Sequence, residues 1–109
     1  MDLDDHLSED GVVIDVRGAT AGDLDAPGVL RDRLRALAAR GYNVILLNVA
    51  DVVHVDSVLL GAIVQAYAAT IRSGGTLKLM NASKRLRDLL RVTKLDRIID
   101  TIDREPDGL

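Results

Sequence analysis

The chain has 109 residues and contains no cysteine, no phenylalanine and no tryptophan. Without cysteine there is no disulfide scaffold, no thiolate metal site and no cysteine nucleophile. Tyr42 and Tyr67 are the only aromatic side chains apart from the imidazoles, so the stacking platforms that hold single-stranded nucleic acid are missing. Two histidines, His6 and His54, are too few for a histidine-rich metal centre. No basic stripe dominates, and 17 acidic against 14 basic residues give a net charge of −3, which disfavours nucleic acid as a partner. The longest uncharged stretches are interrupted by polar residues, so no membrane insertion is expected. The acidic start Met1-Asp2-Leu3-Asp4-Asp5 is unlike a secretory signal, and a cytoplasmic location is expected by default. What remains is a chain that is 48% hydrophobic and 28% charged, the composition of one folded domain.

Hydrophobic periodicity organises that domain. Met1 to Asp10 shows none and reads as a loose N-terminal tail (1–10), with the domain over 11–103 and a C-terminal tail over 104–109. Val12, Ile14 and Val16 alternate with Val13, Asp15 and Arg17 as in a half-buried strand ended by Gly18. Ala19 to Gly28 reads as loop. A helix follows from the Asp25-Ala26-Pro27 start, with Leu30, Leu34, Leu37 and Ala38 as its apolar stripe and Arg40-Gly41 as its end. Val44 to Val49 is nearly all apolar, the pattern of a central strand covered on both faces. Ser57 to Ser73 is the most apolar helix, with Leu60, Ile63, Val64, Tyr67, Ala68 and Ile71 as its stripe, and Gly74-Gly75 stops it. Thr76 to Met80 is a strand, Ser83 caps a third helix, and Ile98 to Ile102 is a last strand. Strands alternating with helices predict an α/β fold: a single domain with a mixed, mainly parallel β-sheet and helices packed on it. Leu46, Ile63, Leu77 and Leu90 are its expected core.

The segment with chemical interest is His54-Val55-Asp56-Ser57, between the central strand and the most buried helix. One reading makes Ser57 a helix N-cap. The other makes it a modification site: a phosphate there adds about −1.5 to −2 charges next to free amides and the positive end of the helix dipole. A hydrolase triad from His54, Asp56 and Ser57 is disfavoured, because neighbours in an extended segment point to different sides. His54, Asp51 and Asp56 read as solvated loop residues rather than metal ligands, and no metal site or cofactor is expected. Gly74-Gly75 and Gly18-Ala19-Thr20-Ala21-Gly22 lack the flanking residues of phosphate-binding loops. Arg85, Arg87, Arg91 and Lys94 on the third helix are offset by Asp88, Asp96 and Asp100 and read as a solvated face.

Taken in order, these segments resemble the sulphate transporter and anti-sigma factor antagonist (STAS) domain family, and most of all its bacterial anti-sigma factor antagonists. The resemblance runs from Gly11 to Asp103. It rests on Val12 to Gly18, the Ala26-Pro27 helix start, Asp56-Ser57-Val58-Leu59-Leu60-Gly61 against the family's Asp-Ser-Ser-Gly-Leu-Gly, Gly74-Gly75-Thr76-Leu77-Lys78-Leu79, and Val92-Thr93-Lys94-Leu95-Asp96-Arg97. It implies a binding protein rather than an enzyme. The unmodified antagonist would bind an anti-sigma factor that is also a serine kinase. That kinase would phosphorylate Ser57 and a phosphatase would reverse it, with Asp56, Ser57, Val58 and Leu59 at the partner contact. A homodimer is compatible with it. The resemblance equally admits a structural subunit of a stressosome-like or lipid-transport assembly, with Ser57 only a cap, and a small-ligand or nucleotide sensor. Two departures stand out: Val58 and Leu59 replace the small Ser-Gly pair, and Lys94 replaces a helix-ending Gly.

Overall fold

A computed structural model describes residues 2–17, 26–52 and 54–103. Five strands form one sheet in the order β1-β2-β3-β4-β5: Asp2–Ser8, Gly11–Arg17, Val44–Asn48, Thr76–Met80 and Asp100–Ile102. β1 is antiparallel to β2, and every other neighbouring pair is parallel. The crossovers are α1 (Ala26–Ala39), α2 (Ser57–Arg72) and α3 (Lys84–Val92), with a single 3₁₀ turn at Leu95–Arg97 before β5.

The strand order from β2 to β5 advances in one direction. Right-handed crossovers then place all three helices on the same face of the sheet. The core follows from this. Ile14, Leu47, Leu77 and Leu79 point to the helices and meet Leu30 and Leu34 of α1, Ile63 of α2, and Leu86 and Leu90 of α3. The opposite face holds a separate small cluster of Val13, Leu46 and Met80, with Ile102 beside it. Among the described residues no helix lies over it. The apolar run at Val44 is therefore not sandwiched between helix layers. Ile45 and Leu47 face the helices, Leu46 fills the small cluster, and Val44 stays 37% exposed. The four expected core residues Leu46, Ile63, Leu77 and Leu90 are all at or below 2% exposure.

Three further expectations change. The first residues are not a loose tail: Asp2–Ser8 pairs along its whole length with β2. Leu3 reaches the core, while the carboxylates lie at the solvent-facing edge, where Arg33 takes Asp5 at 2.5 Å and Arg17 takes Asp4 at 3.1 Å. The hairpin turn is closed by Ser8, whose hydroxyl donates to the Gly11 carbonyl at 2.9 Å. At Gly11 (φ +143°) a Cβ would collide with the backbone carbonyl of Val44, so glycine is required there. The last strand is shorter than expected, because Leu95–Arg97 closes into a 3₁₀ turn and only Asp100–Ile102 pairs with β4. On α2 the buried residues are Leu59, Ala62, Ile63, Ala66 and Thr70, one step round from the expected stripe, which leaves Val64 and Ile71 exposed. The expected loop after Gly18 and the expected C-terminal tail lie largely or wholly outside the described residues.

Candidate functional site

The loop between β3 and α2 leaves the sheet at the carboxyl end of its central strand. Polar side chains fix its departure. Asn48, the last residue of β3, donates to Asp15 Oδ1 at 2.8 Å. Its own Oδ1 accepts from Asn81 Nδ2 at 3.2 Å and from the Ala50 amide at 3.1 Å. The ends of β2, β3 and β4 are thereby tied together directly beneath the loop. Asn81 adopts a left-handed conformation (φ +61°), which asparagine tolerates better than most residues. Further along, Val52 is buried and Val55 packs partly against the core, so the loop is anchored at two points before the helix begins.

The helix start is built by Asp56. Its backbone is extended (φ −137°, ψ −178°), and Oδ1 accepts the Leu59 amide at 2.9 Å. Asp56, not Ser57, is the N-cap. Ser57 is the first helical residue and is exposed. Its amide and that of Val58 have no carbonyl partner inside the helix, as in any first turn. The cap expected at Ser57 therefore lies one residue earlier, because the extended backbone and the carboxylate bond to Leu59 are both at Asp56. Of the two residues that follow, Val58 is half-buried, and Leu59 is only 5% exposed and joins the core. Leu59 therefore anchors the helix, and the outward surface of this turn consists of Asp56, Ser57 and Val58.

The neighbouring charges are sparse. His54 is exposed and makes no hydrogen bond or ion pair among the described residues. Asp51 approaches Arg17 at 4.0 Å. Among the described residues no group of three His, Asp or Glu side chains could hold a metal ion. Nearly all the cations of α3 are occupied elsewhere. Lys84 and Arg91 hold Asp88 at 3.1 and 2.7 Å, and the Lys84 hydrogen bond keeps the Asp88 carboxyl below its usual range. Arg87 pairs with Asp103. Lys94 takes the left-handed conformation (φ +64°) that a glycine would supply at the end of α3.

The order of strands and the helix start at the carboxyl end of β3 define a one-sided α/β domain with an acid-capped helix and an exposed serine in its first turn. The model of the STAS domain family matches residues 2–108, and the chain belongs to this family. Within it, the chain is similar to proteins named as anti-sigma factor antagonists. It is 37% identical over 98 residues to the anti-sigma-B factor antagonist of Bacillus subtilis (strain 168), covering 87% of this chain and 88% of that protein. Its fold superposes on the solution structure of the protein TM1081 with a TM-score of 0.77 at 26% identity, over 91% of this chain and 78% of that one. It also superposes on the phosphorylated form of the Bacillus cell fate determinant SpoIIAA with a TM-score of 0.72 at 18% identity, over 97% and 94% of the two chains. No helix among the described residues is long and apolar enough to cross a membrane.

Proposed function

We propose that this protein is an anti-sigma factor antagonist, a cytoplasmic binding protein without catalytic activity of its own. It sequesters an anti-sigma factor that is also a serine kinase, and phosphorylation of Ser57 turns it off. The observation that carries the reading is the division of labour at the start of α2. Asp56 caps the helix, so the Ser57 hydroxyl is exposed and is not spent on the fold. A phosphate on Ser57 would meet unpartnered amides and the positive end of the dipole, while Asp56 opposes it. The fold therefore survives modification while the surface changes charge.

Gly61 supports a docking face here. A Cβ at this position would meet nothing within 4 Å, so the domain itself does not need glycine. Glycine inside a helix costs about 1 kcal/mol relative to alanine. Close approach of a partner backbone one turn beyond Ser57 accounts for it. Val58, half-exposed beside the serine, supplies an apolar contact. The name of the Bacillus subtilis relative supplies the partner class.

The experiment is phosphorylation by the kinase-type anti-sigma factor from the same cell, with the site read by mass spectrometry. Phosphate on Ser57 alone, lost in Ser57→Ala and removed by the cognate phosphatase, is the expected result. Phosphate on another residue, or none, contradicts the switch.

A further inference from the structure

The far end of α2 presents a different chemistry. Between α1 and the last turns of α2, at the amino ends of β3 and β4, lies a cavity of about 460 Å³. Its apolar lining is Leu34, Ala38, Ile45 and Ala69. Its polar wall includes Arg31, Arg35, Arg72, Gln65, Asn43 and Ser73, and among the described residues no carboxylate lines it. In a chain with more acids than bases, three arginines around one acid-free cavity reverse the local charge.

The donors are largely unspent. Arg35 has no ion pair or hydrogen bond among the described residues, and the side-chain amides of Gln65 and Asn43 make none either. Arg31 has only a distant approach to exposed Asp32, at 3.9 Å. Arg72 uses its Nε on the Ala68 carbonyl, at 3.4 Å, and keeps its terminal nitrogens. It also offsets the partial negative charge of its own helix end. That leaves Arg31 and Arg35 in excess. They stand at i and i+4 on one face of α1, where like charges repel. An anion between them and Arg72 relieves that repulsion and forms charge-assisted hydrogen bonds, to which arginine forks are well matched.

We propose that this cavity is a binding site for a small phosphorylated organic molecule. The phosphate is held by Arg35 and Arg72 with Arg31 beside them, and the organic part lies on Leu34, Ile45 and Ala69. The volume is in the range of small-molecule sites and far exceeds the needs of a bare phosphate. Along the axis of α2 its lining residues Gln65, Ala69 and Arg72 lie roughly 12 to 22 Å from Ser57. It shares no residue with the proposed switch, so either reading can fail without the other.

The test is a titration of the full-length ¹⁵N-labelled chain with 1-naphthyl phosphate, followed by amide shifts, with inorganic phosphate in a parallel arm. Saturable shifts confined to Asn43, Gln65, Ser73, Gly75 and their neighbours are expected. Arg35→Gln and Arg72→Gln should each weaken binding about tenfold, equivalent to about 1.4 kcal/mol. Arg85→Gln, on exposed α3, should leave it unchanged. All three side chains are exposed, and the unperturbed spectra of the variants verify folding. The absence of saturable shifts, an equal loss in Arg85→Gln, or equal affinity for inorganic phosphate overturns the proposal.

Discussion

Two helices of this domain begin beside a serine, and the two serines do opposite things. At α3 the serine is the cap: Ser83 is extended (φ −65°, ψ 162°), and its hydroxyl accepts the Leu86 amide at 3.2 Å. At α2 the cap is Asp56, and the serine follows it inside the first turn with its hydroxyl exposed. Both helices then drop a leucine into the core three residues after the cap, Leu59 in α2 and Leu86 in α3. The local scaffold is therefore the same, and the placement of one acceptor decides which serine is structural. Ser83 Oγ is already engaged in the bond that starts its helix. The Ser57 hydroxyl has no such role, since Asp56 takes the Leu59 amide.

The comparison can be broken at several levels. The largest effects should come from the buried side chains beneath the two helices. Ile63→Ala under α2 and Leu90→Ala under α3 should each cost roughly 2–5 kcal/mol in urea melts, since both are at or below 1% exposure. Losses below about half a kcal/mol at both would mean that these helices do not pack as described. The caps come next. Asp56→Ala and Ser83→Ala should each cost about 1 kcal/mol, because each leaves a first-turn amide unsatisfied. Ser57→Ala should stay within about half a kcal/mol of the parent. If Ser57→Ala matched Ser83→Ala, the distinction between the two serines would be lost.

Much of this was legible in the sequence, for physical reasons that can be named. Val12 to Val16 and Thr76 to Met80 declare their strands because the helix-facing residues are all apolar, while the opposite face mixes polar Asp15, Thr76 and Lys78 with the small cluster of Val13 and Met80. The Ser83 cap is legible because its immediate neighbours, Ala82 and Lys84, offer no acceptor. At α2 two acceptors stand side by side, and only the backbone conformation of Asp56 separates them. β1 escaped because an edge strand needs only Leu3 in the core and can fill the rest with carboxylates, which erases the hydrophobic alternation. The Glu9-Asp10-Gly11 turn was the remaining signal for its hairpin. The stripe of α2 was displaced because the helix is apolar nearly all round, so composition alone does not say which side is buried. The Asp15–Asn48–Asn81 tie joins three strands that are distant in sequence. Its one local sign is a polar residue closing the apolar run of β3.

The central claim is that Ser57 acts on binding and not on folding. Its most direct test is calorimetric affinity for the anti-sigma partner across the parent, Ser57→Ala and Ser57→Asp, with a thermal melt of each. The account predicts near-parent affinity for Ser57→Ala, affinity at least about tenfold weaker (1.4 kcal/mol) for Ser57→Asp, and melting temperatures within a few degrees of one another. Equal affinity across all three would contradict it. So would a collapse of the melting temperature in Ser57→Asp, because the loss of binding would then be a loss of fold.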